Sequence, residues 1–251
     1  MIKASNGREP VKMKLTEMFG KKTTLCFAHV EAKRNDQGML SARSRTLKSM
    51  RAALAGIPIV SPNYIYACQE ADKVLLPESS MMIRSLPSKT KSIESNCASR
   101  YGVAALAARV HESTGDNLLL SRKAFLLCGS IAPAKRNDIQ ILLKEAGAEL
   151  LSNPTAAVSK LKDLLDRPAL EKRTETVVLL CDDTNCNASI NVIPAGLYKQ
   201  AKLAAEHNRR ILLVVNSSWL FDSISCGSVL GAEEFEPAST KARNLWSLLA
   251  K

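Results

Sequence analysis

Aromatic side chains make up only 4% of the 251 residues, although the hydrophobic fraction, 46%, is ordinary for a folded chain. No run approaches the roughly 20 apolar residues of a membrane-spanning helix. The opening MIKASNGREPVKMK lacks the apolar core of a secretory signal, so the expected setting is intracellular. Histidine is scarce: His29, His111 and His207 stand alone, and no Ser/His/Asp, Cys/His or paired-carboxylate arrangement can be assembled around them. Glycine is thinly spread; Gly56, Gly129 and Gly147 read as turns, and no Gly-rich phosphate loop exists. Cys181 and Cys186 bracket two aspartates, but not at zinc-knuckle spacing, and no His or Cys pair accompanies them. These shortages argue against an enzyme, a metal site, a cofactor, a small-molecule substrate or a membrane partner. Seven cysteines, an odd number scattered mostly through apolar runs, fit reduced core thiols rather than a secreted disulfide framework.

What the chain does have is positive charge, +11 overall, unevenly placed. Residues 1–101 carry 17 Lys/Arg against 8 Asp/Glu, and the remainder 18 against 16. The basic half points to an anionic partner.

The stretch 45–75 organises the rest. Leu47, Met50, Ala53 and Leu54 recur at helical spacing, and Gly56 closes that helix. The apolar run 57–60 suits a strand buried in a parallel sheet. Ser61 stands where an N-cap is wanted, with Pro62 at the first helical position of a second helix. The block recurs without a gap: 55–75 lines up with 210–230, so that Val60 falls on Val215, Tyr64 on Trp219, and Val74 and Leu75 on Val229 and Leu230. Such an internal repeat means two copies of one small domain.

GIPIVS before the second helix, and SSWLFDSI in the second copy, resemble the end of a BRCT repeat, with Tyr64 standing where that family prefers Trp. The closest likeness is to the C-terminal tandem pair of DNA-damage checkpoint mediator proteins. The resemblance implies an α/β fold of two repeats, each a small parallel sheet flanked by helices, with Trp219, Tyr64, Gly56 and Gly147 as structural core. It further implies a nuclear, non-catalytic module binding a phosphorylated protein tail, a histone tail being the most specific guess, in a cleft between repeats. Arg45-Thr46-Leu47-Lys48 resembles the helix that carries the phosphate-contacting lysine: Lys48 would meet the phosphate, and Arg45, three residues away on the same helix face, the peptide. The aligned second copy has Gln200 and Leu203 at those places. In the family a Ser or Thr after the first strand, with a following Gly N–H, completes the phosphate cradle; Thr23 and Thr24 are the nearest hydroxyls and do not match its position. The alternative partner is DNA, or a protein bound without phosphate by a basic BRCT scaffold.

Along the chain, residues 1–77 read as a partial first repeat. It has a short helix at 11–19, a third strand at 24–30, a loop at 31–44 and neither a first nor a second strand. Residues 78–121 read as a linker with a helix at 101–111. Residues 122–237 read as a complete second repeat, and 238–251 as a tail. Within the second repeat, strands are expected at 123–128, 148–151, 176–181 and 211–215. Helices are expected at 133–146, 195–205 and 219–225, with a helix or long loop at 156–165.

Overall fold

In the computed structural model the described residues are 19–20, 22–30, 40–78, 80–87, 118–129, 131–167, 175–181, 195–207, 211–237 and 240–249. They fall into two compact units, Met1–Glu112 with Ile224–Ser228, and Ser113–Ser223 with Val229–Lys251.

The first unit contains β1 (Cys26–Phe27), β2 (Leu40–Ser41), α1 (Leu47–Leu54), β3 (Ile59–Val60), α2 (Asn63–Glu70) and β4 (Ile83–Ser85). β1 pairs with β3 and β2 with β4, both in parallel. A bridge from Val60 to Met82 joins the two pairs. α1 starts sharply because Thr46 and Ser49 form a capping box. It ends at a Schellman turn: Gly56, at φ +67°, donates to Ala53 O, and Ile57 to Ala52 O at 2.8 Å. The buried face of α1 is Met50, Ala52, Ala53 and Leu54, against the fully buried Ile59 and Val60.

Several expectations need correction here. Ser61 does not cap α2, which begins at Asn63. The Ser61 amide instead donates to Met81 O, continuing the edge of β3, and its buried hydroxyl has no partner. The strand expected over 24–30 shrinks to two residues, with Val30 bridged to Ala42. The loop expected over 31–44 contains β2, and the linker contains β4. The helices expected at 11–19 and 101–111 lie outside the described residues, except Phe19, which is not helical.

The chain continues with β5 (Lys123–Cys128), α3 (Pro133–Glu145), β6 (Glu149–Leu150), α4 (Pro154–Asp166), β7 (Thr176–Cys181), α5 (Ala195–Glu206), β8 (Leu212–Asn216), α6 (Ser217–Cys226) and α7 (Thr240–Leu249), all in the second unit except the last three residues of α6, which fall in the first. These four strands form one parallel sheet in the order β6-β5-β7-β8. β7, TVVLLC, is buried along its whole length, as a central strand covered on both faces must be. One face packs Leu126, Val177, Leu179 and Val214 against Leu161 of α4, Leu197 and Ala201 of α5, and Leu245 of α7. On the other, Phe125 meets Trp219 of α6 with ring centroids 6.1 Å apart. Gly147, at φ +82°, closes α3 through a second Schellman turn, and a Cβ there would come within 2.8 Å of Leu118 Cβ.

Residues 238–251, expected as a tail, instead carry α7. Its apolar spacing puts Ala242 and Leu245 fully inside the second core, and Trp246 Nε1 donates to Ala232 O at 3.0 Å. Ending the full chain at Pro237 should therefore destabilise the second unit by about 2–4 kcal/mol, from the apolar area exposed. Denaturant unfolding followed by Trp219 fluorescence measures this; an unchanged midpoint would show that α7 contributes no packing.

Candidate phosphate-binding site

The site expected from the sequence lies at the start of α1. Thr46 is extended, at φ −101° and ψ 157°, and its Oγ1 accepts from Ser49 N at 3.1 Å. Ser49 Oγ in return accepts from Thr46 N at 3.0 Å. The first helical bond runs from Met50 N to Thr46 O. The capping box serves only one of the early helical N–H groups. Those of Leu47 and Lys48 have no partner among the described residues, so they point an unmatched partial positive charge out of the helix. Lys48 is exposed and makes no ion pair there. Burial pushes the Cys26 thiol up, and the Lys48 charge works against that rise.

Arg45 differs from its expected placement. The capping box begins the helix at Leu47, so Arg45 precedes the cap, and its three-residue spacing from Lys48 is not a helical turn. Its Nη1 donates to Ser225 Oγ at 3.5 Å, within the first unit as divided above. Arg51, one turn after Lys48, stacks 4.6 Å from the centroid of Phe19. Thr23 is spent on a local turn, accepting from Gly20 N at 3.0 Å.

The paired motif in the two units is held by the same two bonds. Tyr64 Oη donates to Leu75 O at 2.5 Å, and Trp219 Nε1 to Leu230 O at 3.0 Å. Leu75 N donates to Cys68 Sγ, and Leu230 N to Ser223 Oγ. Donor and acceptor positions correspond residue for residue in the gap-free alignment. Burial, then the hydrogen bond with Cys68, pushes the Tyr64 phenol up to about 12. The correspondence fails in the preceding helix. Gln200 lies inside α5, whereas Arg45, with which it aligns, lies before α1, so these two are not structural equivalents.

A separate cavity of about 290 Å³ in the second unit is lined by Arg122, Lys123, Glu149, Lys160 and Glu175 among others. Lys160 bridges Glu149 at 2.9 Å and Glu175 at 3.1 Å, and Arg167 also meets Glu175 at 3.1 Å. Nothing in the sequence spacing revealed this network, because its members come from β6, α4 and the approach to β7. The bond from Lys160, then that from Arg167, holds the Glu175 carboxyl below the usual carboxylate range. A depressed carboxyl stabilises the fold above its unfolded pKa of about 4.3 and loses that contribution as pH falls through the folded value. Glu175→Gln should accordingly flatten the acid limb of the second unit's stability profile below about pH 4.3 and leave its shape near neutrality unchanged; thermal melts across pH measure both.

Cys26, Cys68, Cys128 and Cys181 are buried free thiols. Cys226 departs from the expectation of reduced cysteines: it is disulfide-bonded. Cys181 ends β7 in register with Asn216, and Cys186 lies outside the described residues.

No family model and no curated protein matches the chain. Among solved structures it is similar to the crystal structure of the S. pombe Brc1 BRCT5-BRCT6 domains, with a TM-score of 0.52 and 15% identity over 83% of this chain and 97% of that one. It is also similar to the S. pombe Nbs1 FHA/BRCT-repeat domain, at 13% identity over 92% of this chain and 53% of that one, with a TM-score of 0.31, too low to carry an argument.

Proposed function

We propose that this chain, whose fold is that of a tandem BRCT pair, is a non-catalytic module that binds a phosphoserine-containing protein tail in the nuclear response to DNA damage. The observation that carries the reading is the start of α1. There an exposed Lys48 and two unpartnered N–H groups lie together, beside a sequence resembling the phosphate-contacting helix of phosphopeptide-binding pairs. A phosphoserine brings close to two negative charges and three acceptor oxygens, and such an anion suits both donors. Lys48 takes the phosphate. Arg45, already bonded to Ser225 near the limit of hydrogen-bond distance, takes the adjoining peptide. A histone tail is the most specific partner of this chemistry that the resemblance suggests.

The second reading, a basic scaffold for DNA, is favoured by the charge of residues 1–101. Fluorescence anisotropy with a serine-phosphorylated histone tail peptide, its unphosphorylated twin and a duplex DNA competitor separates the two. Under the first reading the phosphopeptide binds better at near-physiological salt and DNA competes poorly. Under the second, both peptides bind alike and DNA affinity falls linearly on a log–log salt plot.

A further inference from the structure

We propose that Thr46 is itself a phosphorylation site, and that its phosphate occupies the anion seat at the start of α1 and closes the module to its ligand. The inference rests on the reading of Lys48 as a phosphate contact and adds its regulation. Three hydroxyls cluster here, and only one suits a kinase. Ser49 is fully buried. Ser44 has Ser41, not a cation, three residues before it. Thr46 is exposed, lies in extended backbone just outside the helix, and follows Arg43 by three residues and Arg45 by one. Kinases choose substrates by charge pattern, and arginines at these places suit one with an acidic substrate groove.

The step needs ATP and a basophilic Ser/Thr kinase. Thr46 Oγ1 forms a bond to the γ-phosphorus, and the bond from that phosphorus to the β–γ bridging oxygen breaks. ADP leaves with the electron pair, and the hydroxyl proton passes to the kinase's catalytic carboxylate. The hydroxyl gives up its bond to Ser49 Oγ, 3.1 Å long. Its oxygen is already directed at the helix start, where it accepts from Ser49 N. The added phosphate oxygens thus lie against the open N–H groups of Leu47 and Lys48, with the Lys48 ammonium two residues on. An intramolecular phosphate in that seat excludes one on a peptide.

The test treats the full chain with the catalytic subunit of a basophilic kinase and ATP, maps the phosphate by mass spectrometry, and follows it by ³¹P NMR against pH. Expected are incorporation at Thr46, loss of it in Thr46→Val, and a roughly tenfold slower rate in Arg43→Gln, which leaves the cap intact. The second ionisation of the phosphothreonine should lie below its ordinary value of about 6 and rise toward it in Lys48→Met. The modified chain should bind the serine-phosphorylated histone peptide at least about tenfold more weakly than the unmodified chain. An unmodified Thr46 overturns the proposal, as does a phosphate whose titration ignores Lys48→Met. If the unmodified chain binds no phosphopeptide, the functional reading fails by itself, and the mapping and the ³¹P titration still decide the modification and its seat.

Discussion

Trp219→Ala should unfold the second unit's packing at a cost of about 3–5 kcal/mol, the largest stability effect expected of any single substitution here. The indole is fully buried between α6 and the sheet and lies against Phe125. Its removal leaves a cavity and deprives Leu230 O of the donor that fixes the turn after α6. The matched change in the first unit, Tyr64→Phe, keeps the ring and removes only the hydroxyl bond to Leu75 O, so about 1 kcal/mol is expected. Denaturant unfolding of both variants measures the contrast. Equal small losses would mean that the aromatic positions are not the anchors of the two repeats.

Lys48→Met should weaken binding of a phosphoserine peptide roughly ten- to a hundredfold, the worth of a hydrogen bond to a charged group of about 1.5–3 kcal/mol. Stability should hardly move. Lys48 is exposed, the inward face of α1 belongs to Met50, Ala53 and Leu54, and Met suits a helix as well as Lys does. Lys202→Met supplies the control, because Lys202 is an exposed cation on α5 whose only described ion pair is a 3.9 Å contact with Glu206. It should leave affinity within about twofold.

The second unit was legible in the sequence because its signals agree. Long apolar runs mark β5 and β7, Pro133 opens α3, and Gly147 closes it. Even the equivalence of Tyr64 with Trp219 could be read from spacing alone, and it is expressed in matching hydrogen bonds. Pairs formed between remote segments were not legible. β2 and β4 are two and three residues long and gain their pairing only from each other, so neither has a local pattern to announce it. α7 carries Ala242, Leu245, Trp246 and Leu249 at helical spacing, but a helix of ten residues is marginal alone and owes its stability to the core it joins. At the site, the resemblance points to Lys48, while Arg45 falls before the helix rather than on it because the Thr46–Ser49 capping box, a pattern visible in the sequence, sets the start of α1.

Phosphopeptide binding turns on whether one lysine and one phosphate recognise each other. The direct measurement is a double-mutant cycle by calorimetry: the parent chain and Lys48→Met, each titrated with a serine-phosphorylated histone tail peptide and with its unphosphorylated twin. A coupling of about 1.5–3 kcal/mol is expected, with the phosphopeptide losing most of its advantage over its twin on the variant. Loss of less than about twofold on the phosphopeptide alone, with no coupling, would contradict that expectation and leave the start of α1 as an ordinary basic surface.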